Sequence, residues 1–115
     1  MSMFDSVSSV ALNSALDGLA LRQRVIADNV ANIQTPGYHA QRVSFEDALS
    51  KAVSNGSGAV QAKVGRSLEP TREDGNNVNL DEETLLNVET NLRYQLATQA
   101  VDGTYSTMRA AMRTA

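Results

Sequence analysis

The sequence predicts a mainly α-helical chain, with two long terminal helices forming a coiled-coil hairpin. One short helix and an irregular linker with room for a β-hairpin lie between them. Three observations predict this. A heptad seam runs through the first third, where Leu12, Leu16, Leu19, Gln23, Ile26, Val30 and Ile33 alternate at spacings that keep one helical face on a partner helix. A second set of apolar residues at helical spacing fills the last third, from Leu85 to Met112. Between them the composition turns to Gly, Ser, Asn and charge, "GSGAVQAKVGRSLEPTREDGNNVN", which has little to bury.

The first helix is expected from about Asp5 to Ile33. Leu21 and Val25 lie off the seam and widen its apolar face, and Gly18 costs about 1 kcal/mol against Ala inside a helix. The helix must stop near Gln34, because Pro36 pushes Thr35 out of the α region and Pro36-Gly37 supplies the two central positions of a type II turn. A short helix follows, with Ser44 expected as N-cap, Asp47 as its capping-box partner, and Phe45, Ala48, Leu49, Ala52 and Val53 on one face. Asn55-Gly56 ends it. The alternation Val60, Ala62, Val64 permits one short strand in an otherwise flexible linker.

The last helix is expected from Asp81 or Glu82 to about Arg113. Asp81 is the expected N-cap and Leu80 and Leu85 are spaced for a hydrophobic staple; Glu82 and Glu83 complement the positive end of the helix dipole, Arg109 and Arg113 the negative end. Leu85, Val88, Leu92 and Leu96 form a stripe, which Tyr94, Val101, Tyr105, Met108 and Met112 continue as a drifting apolar surface. The organisation is one structural domain in four segments: 1–38, helix and turn; 39–54, short helix; 55–79, linker; 80–115, terminal helix. The packing residues expected to matter are Leu12, Leu16, Leu19, Ile26, Ile33, Leu85, Val88, Leu92, Val101, Tyr105, Met108 and Met112. Two long helices cover only one stripe of each other, so Leu21, Val25, Leu86 and Leu96 are expected to need further subunits.

Composition narrows the function. The net charge is −3, with Lys and Arg scattered singly, which gives no field for a phosphate backbone. There is no cysteine, hence no disulfide, thiolate nucleophile or Cys-ligated metal. His39 is the sole histidine and has no metal-ligand spacing around it; Ser8, Ser9 and Thr35 are ordinary hydroxyls, and Glu82-Glu83 is helix-start charge. No catalytic, cofactor or metal residue is expected. No apolar run approaches the roughly 18 residues of a membrane span, and the first residues do not read as a Sec signal.

The polar crowding in "ADNVANIQTPGY" calls for a reason. Asn29 and Asn32 lie on one helical face beside Asp28, close to Val30 and Ile33. Two readings stand: a solvated face before a helix stop, or polar groups near a seam that fix register and partner geometry. The stretch resembles the motif of the axial proteins of the bacterial flagellum, in which an Asn-rich helix runs into Thr-Pro-Gly-Tyr. Asn29, Val30, Ala31, Asn32, Thr35, Pro36, Gly37 and Tyr38 match it, while Asp28 stands where many members carry Asn or Ser. "RVSFEDALSKAV", "DGNNVNLDEE" and "NLRYQLATQAVDGTYSTMRAAM" are similar to the flagellar basal-body rod protein family, in particular its proximal-rod members.

The resemblance implies a structural subunit of the proximal rod, with no enzymatic activity and no cofactor. It implies export through the flagellar type III apparatus without a cleaved Sec signal, and location in the basal body outside the cytoplasmic membrane. It implies partners: copies of itself, other rod proteins and the adaptor that joins rod to membrane ring. The alternatives are a secreted helical hairpin of another kind, whose Trp-x-Gly turn this chain lacks, and an export adaptor or chaperone.

Overall fold

The computed structural model describes residues 6–114. In chain order it contains α1 (Val7–Ala31), β1 (Gln41–Ser44), α2 (Glu46–Ser54), β2 (Lys63–Arg66) and α3 (Leu80–Thr114). Asp5 lies outside the described residues; Ser6 caps α1, its Oγ accepting from the Ser9 N–H at 3.1 Å. Helix α1 ends at Ala31, two residues before the expected Ile33, with Asn32 as C-cap. The turn then follows the expected chemistry: the Tyr38 N–H donates to the Thr35 carbonyl at 3.2 Å, and Gly37 takes φ 77°.

Helices α1 and α3 pack antiparallel. Leu12 lies by Val101, the Gln23 Nε2 donates to Asn91 Oδ1 at 2.7 Å, and Asn29 meets Glu83. The molecule is 66 × 26 × 15 Å with a radius of gyration of 17.8 Å, against about 13 Å for a compact 100-residue chain. The 35 residues of α3 set that length.

The core sits where β1 and α2 fold back on α1. Leu19, Val25, Val43 and Phe45 are its buried members, with Ala15, Leu21, Leu49, Ala62 and Tyr94 packed against them. Gly18 has its reason here, since a Cβ would come 2.6 Å from Phe45 Cδ1. Phe45 lies flat on α1 because Gly18 has no side chain. Leu21 and Val25, expected to need other subunits, are therefore covered within the chain.

Four further expectations are corrected. Ser44 is the last residue of β1, not a helix cap; Phe45 takes the cap position without a side-chain bond, so Asp47 has no capping box to complete. The β-pairing is not a local hairpin: β2 pairs antiparallel with β1 across the intervening α2, Val43 opposite Val64. Helix α3 is capped by Asn79, whose Oδ1 accepts from the Glu82 N–H at 3.2 Å, not by Asp81. With the helix one turn-position earlier, Leu80 and Leu85 are both exposed and make no staple.

Candidate functional site

The motif asparagines are where the chain is tied together. Asn29 is fully buried. Its Nδ2 donates to the Gln41 carbonyl at 2.9 Å and to Glu83 Oε1 and Oε2 at 3.1 and 3.2 Å. Its Oδ1 accepts from the Gln41 N–H at 2.9 Å and the Tyr38 hydroxyl at 3.3 Å. One amide thus joins α1, the turn, the outer edge of β1 and the first turn of α3. Burial, with Asp28 and Glu83 nearby, pushes the Tyr38 pKa up, which keeps its hydroxyl a donor. Glu83 is also fully buried, and Arg42 Nη1 completes its shell at 2.6 Å while Arg42 Nη2 reaches Glu82 at 2.9 Å. A buried carboxylate with charge-assisted donors on both oxygens offsets its desolvation.

Asn32 works at the surface of the same turn. Its Nδ2 donates to the Asp28 carbonyl at 2.8 Å and its Oδ1 accepts from Thr35 Oγ1 at 3.1 Å. A second asparagine segment closes over it. Asn76, fully buried, donates to the carbonyls of Asn32 and Thr35 at 2.8 and 2.9 Å and accepts from the Val78 N–H at 2.7 Å. Asn77 accepts from the Ala40 N–H at 2.7 Å and donates to the Ser67 and Glu69 carbonyls at 3.3 and 3.0 Å. The Gly37 N–H donates to the Asp74 carbonyl at 2.8 Å, and Arg72 bridges the carbonyls of Val78 and Ile33. These side chains serve backbone groups that no ladder reaches, so the turn after α1 is held without a sheet. The stretch 55–79, expected to be a flexible linker, supplies this clasp as well as β2.

A second knot ties the helices further along. Arg22 forks onto Glu46, Nη1 to Oε2 at 2.6 Å and Nη2 to Oε1 at 2.7 Å, while also donating to the Val43 carbonyl at 2.7 Å. Its guanidinium lies 4.9 Å from the Phe45 ring centre, and Arg93 reaches Glu46 Oε2 from α3 at 3.1 Å. The Arg22 fork, together with backbone N–H bonds, lowers the Glu46 pKa to about 2 against the opposing pull of burial.

Of the expected packing residues, Leu19 and Ile26 are buried, and Leu12, Leu16, Ile33, Val101 and Met108 are half-buried. The others divide. The line of α3 that meets α1 is Glu83, Thr90, Tyr94, Ala97, Val101, Thr104 and Met108, itself at heptad spacing and polar at its start. At about 100° per residue, Leu85, Val88, Leu92 and Leu96 fall on the opposite side, and they are 68, 52, 57 and 66% exposed. Tyr105 and Met112 are exposed near the far end, at 47 and 72%. Helix α3 therefore has two apolar lines, one inside and one outside. Val30, Ala31, Thr35 and Pro36 are exposed around the clasp.

Sequence reasoning did not single out Glu83 as a buried partner, nor Arg22, Arg42, Glu46, Asn76 and Asn77. The usable signal was "DGNNVN", an asparagine cluster with the same make-up as the motif it binds. Among the described residues no group of His, Cys, Asp and Glu could hold a metal ion.

Residues 11–39, which carry the seam, the asparagines and the turn, match the family model of the Flagella basal body rod protein. The chain is 33% identical over 106 residues to the flagellar basal body rod protein FlgB of Borrelia hermsii, covering 72% of this chain and 78% of that protein. It is 33% identical over 111 residues to FlgB of Escherichia coli (strain K12), covering 77% and 80%. To FlgB of Bacillus subtilis (strain 168) it is 26% identical over 112 residues, covering 85% and 87%. With the asparagine clasp, the paired terminal helices and this similarity along most of the chain, the protein belongs to the FlgB family of flagellar basal body rod proteins, structural subunits of that rod.

Proposed function

We propose that the chain is a proximal-rod subunit that polymerises through its terminal helices, with copies of itself, other rod proteins and the rod-to-membrane-ring adaptor as neighbours. It reaches the rod through the flagellar type III export apparatus. The family is structural and not enzymatic, so what remains to be explained is assembly.

The observation that carries the reading is the outer stripe of α3. Four large aliphatic side chains, Leu85, Val88, Leu92 and Leu96, stand half or more in water along one helical line. Covering them is worth about 1 kcal/mol each, since a full burial gives about 1.5–3 kcal/mol. That is comparable with the stability of a small elongated domain. The stripe is continuous, so a helix of a neighbouring subunit can lie along it. Asn29, Asn32, Thr35, Pro36, Gly37 and Tyr38 act in assembly indirectly: by clasping α1, β1 and α3 they hold the terminal helices in the geometry that presents the stripe. No described helix is long and apolar enough to cross a membrane.

The test is complementation of a motile bacterium deleted for its own member of this family. Restored swimming, with the chain recovered in purified basal bodies, is the expected result. A chain that is made and folded but absent from basal bodies would overturn the proposal.

A further inference from the structure

The two-stranded sheet is closed along one edge and open along the other. In an antiparallel pair, alternate residues turn their N–H and C=O groups inward to the partner strand and outward to the edge. The Ser67 N–H donates to the Ala40 carbonyl at 2.7 Å. In the register that sets Val43 opposite Val64, this turns Gln41 and Val43 outward on β1, and Val64 and Arg66 outward on β2. Ser67 and Glu69 both turn their carbonyls to Asn77, at 3.3 and 3.0 Å, so Leu68 between them continues the outward row.

On β1 the outward groups are taken by side chains of α1. Asn29 Oδ1 accepts the Gln41 N–H and its Nδ2 donates to the Gln41 carbonyl, both at 2.9 Å, and Arg22 Nη2 donates to the Val43 carbonyl at 2.7 Å. On β2 no described residue bonds the outward groups of Val64 or Arg66, and all four residues of the strand are exposed. Two features mark this edge further. Among the described residues neither Lys63 nor Arg66 forms an ion pair, whereas Arg22, Arg42, Arg72 and Arg93 all do. Leu68 is 98% exposed, more than any other large apolar side chain described.

We infer that β2 accepts a third strand: an extended acidic segment of a partner protein, with apolar side chains opposite Val64 and Leu68 and carboxylates opposite Lys63 and Arg66. The backbone groups of Val64 and Arg66 hold the added strand, and the flanking side chains select its sequence. A second β2 does not fit, because two such edges side by side set like charges together. The chain's own acidic stretches, 69–74 in the clasp and 81–83 in α3, are already committed. Glu69 lies next to Leu68 and repels an acid placed there, which fixes the apolar position of the incoming segment. The surface is separate from the outer stripe of α3.

The test uses the hexapeptide Val-Thr-Glu-Thr-Val-Glu, labelled with fluorescein at its N-terminus and amidated, whose residues in order lie antiparallel to Leu68 through Lys63. Fluorescence anisotropy with the full chain, kept dilute enough to sediment as a monomer, is expected to rise to saturation. Only the first Val, the first Glu and the second Val turn their backbone groups to β2 in this pairing. N-methylation of that Glu and the second Val should therefore weaken binding about tenfold or more, and N-methylation of both threonines should leave it unchanged. The wild type should not bind the peptide with Lys in place of Glu. The Lys63→Glu, Arg66→Glu double variant, verified by circular dichroism to keep the wild-type helical signal, should exchange the preference and take the Lys peptide instead. Absence of saturable binding, equal loss from the two methylation patterns, or wild-type binding of the Lys peptide as tight as of the acidic one would overturn the inference; the methylated peptides decide it without any change to the protein.

Discussion

Replacing Asn29 with Ala removes one amide that serves three elements, and the structure sets the size of the loss. The Gln41 N–H and carbonyl lose their partners, at 2.9 Å each. Gln41 is exposed enough for water to reach these groups, so about 1 kcal/mol each is appropriate, the low end for an unmade bond. Glu83 is fully buried and keeps Arg42 but loses the amide on both oxygens, a charged group whose lost bond costs about 1.5–3 kcal/mol. Tyr38 is half-buried and can turn to solvent. The expected destabilisation is about 3–5 kcal/mol, a large part of a typical 5–15 kcal/mol total. Urea unfolding followed by circular dichroism should give this shift in midpoint at unchanged slope. A double-mutant cycle with Glu83→Gln isolates the Asn29–Glu83 term, expected above about 1 kcal/mol. A loss below about 1 kcal/mol for Asn29→Ala, with no coupling to Glu83, would refute the reasoning that the motif is an intrachain clasp.

Three other outcomes follow from the same geometry. Gly18→Ala sets a Cβ at 2.6 Å from the Phe45 ring; overpacking of about 1–3 kcal/mol outweighs the roughly 1 kcal/mol helix gain, so a net loss of up to about 2 kcal/mol is expected, and a thermally stabilised variant would count against Phe45 lying on α1. The Glu46 carboxyl is held at about 2 against an ordinary 4.5. Because its folded pKa is the lower one, its contribution is complete above 4.5 and is lost as pH falls towards 2; Glu46→Gln should flatten the stability profile in that window, and an unchanged acid slope would remove Arg22 from the account. Gly37→Val forces a branched side chain to φ 77°, a strain of about 1–3 kcal/mol, and Asn32→Ala opens the same turn; both should give soluble chains that fail to restore motility, and a swimming strain would separate the turn from assembly.

Much of this was legible in the sequence because periodicity and turn chemistry are local. The seam from Leu12 to Ile33, the stop at Pro36-Gly37 and the long terminal helix all follow from spacing and from restricted φ angles. The pairing of β1 with β2 was not legible, since both strands are four residues long and α2 separates them. The two lines of α3 were merged for a related reason. Leucines dominate any reading of periodicity, yet the face against α1 is led by Glu83 and Thr90, both buried, and the Glu83 carboxylate is buried only because Asn29 and Arg42 come to meet it. A carboxylate's burial depends on partners distant in sequence, which spacing does not report. The asparagines of the loop were visible as a cluster, but their roles depend on carbonyls exposed by a helix end some forty residues earlier.

As an assembling subunit, the chain is proposed to have its outer α3 stripe covered by other subunits. Sedimentation velocity of the purified chain over a concentration series, with far-UV circular dichroism on the same samples, tests it most directly. A monomer of reduced helicity is expected when dilute, gaining helical signal as large species form with rising concentration. A fully helical, cooperatively melting monomer whose size and signal do not change with concentration would contradict it.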